Sequence, residues 1–115
     1  MFVDWDRVKV FVRPGITDLR KQINGLAALV QGPMSLDPFS GHLYLFCNHE
    51  RRLLKAVYWD RNGFCLWQKR LEGDRFPWPR NEEAAREITV DQLRMLLDGV
   101  DFWKAHQKLA YTTVL

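Results

Sequence analysis

The sequence predicts an α+β fold: an antiparallel sheet, built as a meander from an N-terminal strand plus three or four more, with two helices packed on it. Three observations carry this. Residues 7–13 alternate strictly, residues 37–79 read as a ribbon of strands joined by tight-turn signals, and two stretches carry apolar residues at helical spacing.

The first strand is Arg7–Arg13, with Val8, Val10 and Val12 on one face and Lys9, Phe11 and Arg13 on the other. Period two with β-branched residues argues a half-buried strand. Pro14-Gly15 ends it, because proline has no N–H for the ladder and glycine accepts turn geometry. A helix should follow, with Thr17 as N-cap and Asp18 in its positive first turn. Leu19, Ile23, Leu26, Ala27 and Val30 form its apolar stripe, and Gly32-Pro33 stops it. Gly25 inside it implies a close approach to another element.

The ribbon comes next. Asp37-Pro38-Phe39-Ser40-Gly41 is a loop, His42–Cys47 a strand, Asn48–Arg52 a polar connection and Leu53–Trp59 a strand. Asp60-Arg61-Asn62-Gly63 is a hairpin signal, since asparagine and glycine tolerate positive φ. Phe64–Lys69 is a third strand, Glu72-Gly73-Asp74 a turn, and Arg75–Trp78 a short fourth strand limited to an edge by Pro77 and Pro79. Residues 80–87 form a linker or a helical lead-in. Thr89-Val90-Asp91-Gln92 has the form of a capping box, followed by the stripe Leu93, Leu96, Leu97 and Val100, with Gly99 near its end. Residues 1–103 therefore read as one domain. The tail 104–115 has no periodicity that decides between a last strand and a disordered end.

Composition bounds the function. The chain has 115 residues, enough for one core, and 47% of them are hydrophobic. No apolar run approaches the roughly 20 residues that span a bilayer. The N-terminus has acids where a signal peptide needs bases. Two cysteines suit a reducing compartment, so the expectation is a cytoplasmic protein without membrane contact. Charge is unevenly spread. Residues 51–80 hold eight bases and three acids, a net +5, whereas residues 81–103 hold six acids and two bases, a net −4. A basic middle of this kind suits a polyanion, although a solvated sheet face balanced by an acidic helix gives the same pattern.

No catalytic set emerges. A metal-dependent nuclease needs three converging carboxylates. Asp18, Asp37, Asp60, Asp74 and Asp91 are available, but capping and turn roles account for them better. Cys47, His49, Cys65 and His42 match no zinc-ligand spacing, and both cysteines sit in apolar strands where a thiol packs as a small hydrophobe. No phosphate-cradling glycine loop and no nucleophile motif appears. The expectation is a non-enzymatic protein with no cofactor, no metal and no small-molecule substrate.

The ribbon is the candidate site. Arg51, Arg52, Lys55, Lys69, Arg70 and Arg75 are the candidate nucleic-acid contacts. Trp59, Trp67 and Trp78 are candidates for base stacking or for a protein interface, with burial on a sheet covered on both sides as the third reading.

The same residues carry a resemblance. Thr17-Asp18-Leu19-Arg20-Lys21, Gly25–Val30, Asp37–Leu43, Lys55, Trp59-Asp60, Gly63–Trp67, Lys69-Arg70-Leu71 and Arg75–Pro79 occur in order across roughly residues 7–102. Together they resemble the TnpB accessory proteins of the insertion sequence 66 family of bacterial transposable elements, which are unrelated to the RNA-guided nucleases sharing that label. The resemblance implies an accessory role in DNA transposition. It implies partnership with a separate, larger transposase and other proteins of the same element, with DNA as a further partner. It supplies no catalytic residues. Met1–Asp6 and Ala105–Leu115 match nothing in the pattern, and Asn48–Arg52 matches it only loosely.

Overall fold

In the computed structural model, residues 3–80 and 86–103 are described. The elements are β1 (Val10–Val12), α1 (Ile23–Gln31), β2 (Leu43–Cys47), β3 (Leu53–Asp60), β4 (Gly63–Arg70), β5 (Arg86–Ile88) and α2 (Val90–Leu97). The strands form one sheet in the order β4-β3-β2-β1-β5. The α+β class holds, but the sheet is mixed. β1 and β2 run parallel, and the other neighbours are antiparallel. The physical reason is α1: a helix between two strands carries the chain back, so β2 enters the sheet at the same end as β1.

Both faces of the sheet are covered. On one side, Leu26 and Val30 of α1 pack with Leu19, Met34, Tyr44, Phe46 and Val57. On the other, Leu93 and Leu96 of α2 pack with Val10, Val12, Leu45, Ala56, Phe76 and Trp78. Side chains of β3 and β4 alternate between the two faces. Leu53, Val57, Phe64 and Leu66 face α1, while Leu54, Ala56, Tyr58 and Trp67 face α2.

Three local expectations are corrected. First, α1 starts at Ile23, not after Thr17. Thr17 is buried; its N–H donates to the Cys47 carbonyl at 2.8 Å, and its hydroxyl accepts from Arg13. That bond to the end of β2 outcompetes capping. Asp18 accepts the Arg20 N–H at 3.0 Å in a local turn instead. Bonds from the Arg20 side chain and backbone hold its carboxyl at about 2, below the ordinary 3.8. Second, Arg75–Trp78 is not a strand. Pro77 and Pro79 cannot donate to a ladder, and other bonds pin the segment: the Phe76 N–H donates to the Arg51 carbonyl at 2.6 Å, the Trp78 indole N–H to the Arg13 carbonyl at 2.9 Å, and the Gly15 N–H to the Pro79 carbonyl at 2.7 Å. Third, a further strand falls at Arg86–Ile88, overlapping the stretch 80–87 read as a linker or a helical lead-in, and pairs with β1.

The β3–β4 hairpin forms where its turn signal lies, with Asp60 opposite Gly63. The positive φ falls on Arg61 (48°), however, rather than on asparagine or glycine. Gly25 sits close to the stem of Lys21, in the turn ahead of its own helix, rather than to a separate element. The capping box of α2 is complete. Thr89 Oγ1 accepts from the Gln92 N–H at 3.1 Å, and Gln92 Oε1 accepts from the Thr89 N–H at 2.9 Å. Val100, the last member of the predicted stripe, is exposed. The tail 104–115 and residues 81–85 lie outside the described residues. No helix among the described residues is long and apolar enough to cross a membrane.

Candidate nucleic-acid interface

The sequence singled out six bases, and the fold sorts them. Lys55 leaves the candidate surface. It is 5% exposed, and its ammonium donates to the Leu19 carbonyl at 2.7 Å and to the Lys21 carbonyl at 3.4 Å. It faces α1 from the middle of β3, where an unpaired cation would be costly, so the carbonyls of the preceding turn take it. Lys69 is half-buried, and its ammonium donates to the Leu97 carbonyl at 2.9 Å. That carbonyl ends α2, where the helix dipole favours a cation. Arg70 is exposed and bonds Glu72 at 3.1 Å. Arg52 is exposed.

Arg51 and Arg75 come together. They line a cavity of about 470 Å³ with Gly15, Ile16, His49, Glu50, Trp78, Pro79 and Arg80. Three chain segments converge there: the β1–α1 connection, the β2–β3 turn and the stretch 75–80. The turn is rigid for local reasons. Asn48 Oδ1 accepts the N–H groups of Arg52 and Leu53, each at 3.1 Å, and Arg51 adopts φ 60°. The Arg51 carbonyl then receives Phe76, which places Arg75 beside it. Among the described residues, no ion pair engages Arg51, Arg75 or Arg80. An adjoining cavity of about 690 Å³ shares Ile16, His49 and Glu50 and reaches Arg20, which already binds Asp18 at 2.8 Å. Ile16, 55% exposed, lines both.

The tryptophans separate as well. Trp78 is 5% exposed and walls the cavity from the core side, so stacking on a free ring face is ruled out for it. Trp67 is half-buried against the α2-side core. Trp59 is half-buried at the hairpin end, in edge contact with Phe39 and Phe64 at centroid distances of 5.1 and 5.0 Å. Phe39 is 56% exposed. Its loop is pinned by the Tyr44 hydroxyl, which donates to the Asp37 carbonyl at 2.7 Å and pairs with Ser40 Oγ at 2.8 Å.

Arg80 and Ile16 were not singled out from sequence. The stiff Pro77-Trp78-Pro79 run ahead of Arg80 was the available signal. The residues weighed for metal or acid chemistry remain apart: among the described residues, no group of three or more His, Cys, Asp or Glu side chains could hold a metal ion. Cys47 is buried, which pushes its thiol up to about 12.

Residues 8–107 match the family described as IS66 Orf2 like protein. The chain belongs to this family. An uncharacterized protein of Sinorhizobium fredii, y4hO, is 38% identical over 108 residues, covering 94% of this chain and 93% of its own length. A second from the same organism, y4jC, is 30% identical over 102 residues, covering 89% and 86%. No solved structure matches the chain. Membership places this IS66 Orf2-like protein among transposition-associated accessory proteins of insertion sequences. Other proteins of such an element are its plausible partners.

Proposed function

We propose that this IS66 Orf2-like protein is a non-enzymatic, cytoplasmic accessory factor that supports transposition by gripping DNA phosphates with the cleft arginines Arg51, Arg75 and Arg80. The supporting observation is that these three arginines, one from the β2–β3 turn and two from the stretch 75–80, line one cavity without ion pairs among the described residues. Arginine suits phosphate because its planar fork donates two parallel bonds. Arg52 and Arg70 extend the basic surface, whereas Lys55 and Lys69 support the fold.

The test is binding to duplex and single-stranded DNA across a salt series. Three phosphate contacts give log K a slope against log salt of about −2.7 on duplex and about −2 on single strands. Replacing all three arginines with alanine should flatten that slope and weaken every sequence alike. Absence of binding at low salt, or a flat salt dependence in the wild type, overturns the proposal.

A second reading is an adaptor that docks on the transposase. Its support is the Phe39–Trp59–Phe64 cluster at the hairpin end, with Phe39 more than half exposed. Co-purification with the transposase from nuclease-treated extract separates the readings. A complex that survives DNA removal and is lost in Phe39→Ala favours the adaptor.

A further inference from the structure

The outer edge of β4 is long and regular. The strand spans eight residues, pairs one-to-one with β3 without a bulge, contains no proline and ends the sheet among the described residues. The opposite edge strand, β5, has three residues. Exposed edges are normally blunted by shortness, proline, bulges or charge, because their free N–H and C=O groups recruit another strand. In β4 the one lysine, Lys69, has its ammonium on Leu97 rather than out at the edge.

The direction of the free groups follows from one bond. The Leu71 N–H donates to the Arg52 carbonyl at 2.8 Å. Bonded pairs recur at every second residue of an antiparallel ladder, so Cys65, Trp67 and Lys69 turn their backbone toward β3. Phe64, Leu66, Gln68 and Arg70 turn theirs outward, and they share the α1 face of the sheet.

We propose that this edge pairs antiparallel with the β4 edge of a second copy, joining two five-stranded sheets about a two-fold axis at Trp67. In this register Phe64 meets Arg70 of the second copy, and Leu66 meets Gln68 of the second copy. All outward groups are then used, in about eight bonds. It also keeps α1-side residues opposite α1-side residues, so the helical layers of the two copies stay on matching sides. The charge pattern fits a second copy. The bases lie at one end of the strand and the aromatic ring at the other, so antiparallel pairing sets each Arg70 against a Phe64 ring and keeps the two cationic ends apart. A parallel arrangement would stack the cations. The interface is isologous and closes as a dimer.

Sedimentation of the full chain across a concentration series should show a monomer–dimer equilibrium. Gln68→Pro deletes one outward N–H per copy while sparing the β3 ladder, so it should weaken dimerisation by about tenfold or more with an unchanged circular dichroism spectrum. If that variant does not fold, Arg70→Glu provides the second probe and should weaken the dimer several-fold. Hydrogen exchange supplies a pattern unique to this edge. The amides of Phe64, Leu66, Gln68 and Arg70 should gain protection as concentration rises, while those of Cys65, Trp67 and Lys69 stay protected throughout. A wild type that remains monomeric, a folded variant that dimerises like wild type, or concentration-independent exchange at the outward amides overturns the proposal.

Discussion

Lys55 shows how little a residue's type says about its task. In sequence it is one base in a +5 segment; in the fold its ammonium joins β3 to the turn ahead of α1. Lys55→Ala removes charge-assisted bonds to two carbonyls and should cost about 2 kcal/mol in denaturant unfolding. The DNA affinity of the folded fraction should not change. Cys47 gives a pH prediction. Burial raises its thiol from 9.0 to about 12, so the unfolded chain releases this proton first. A raised folded value means the contribution is complete below about 9 and declines as pH climbs from there toward 12. Chemical denaturation at stepped alkaline pH should show this decline, and it should be shallower in Cys47→Ala, where Tyr44, also raised by burial, still contributes. In the native protein Cys47 should resist alkylation until unfolding. The burial of Cys47 was legible from its apolar strand, whereas the tie of Lys55 was not, because it depends on carbonyls more than 30 residues away.

At the scale of elements, legibility follows the range of the interactions. The α2 start was readable because Thr89 and Gln92 satisfy each other's backbone across three residues. Thr89→Ala should cost about 1 kcal/mol of thermal or denaturant stability, and Thr89→Ser should restore most of it. The β3–β4 hairpin was readable for the same reason, although its left-handed residue proved to be Arg61. The start of α1 was misread because Thr17 spends its N–H on Cys47, a partner 30 positions away. β5 was missed because three residues with one buried side chain carry no periodic signal. The stretch Arg75–Trp78 had strand composition, but its prolines left it to be held by Arg13, Gly15 and Arg51 instead of by a ladder.

At the scale of the molecule, the two-sided cover of the sheet decides what is left to act. It removes Trp78 and Lys55 from the surface and leaves Arg51, Arg75 and Arg80 around one cavity. Arg51 sits at φ 60°, where glycine is at ease and arginine is strained. Arg51→Gly should therefore leave stability unchanged or raise it by up to about 1 kcal/mol, while lowering the DNA salt slope by about 0.9. Unfolding curves and the salt series, run on the same variant, check both halves; a loss of stability would assign Arg51 a structural task instead. By itself the sequence determined the α+β class, the β3–β4 hairpin, the capped second helix and, through its ordered motifs, the family. These rest on short-range chemistry: side-chain period, turn residues and local capping. Only the tertiary structure decided that β1 and β2 run parallel, that a strand lies at 86–88, and which bases stay free. Those outcomes depend on which distant carbonyl reaches a given N–H or ammonium first, and pairing between distant segments is set by packing rather than by any local pattern of residues.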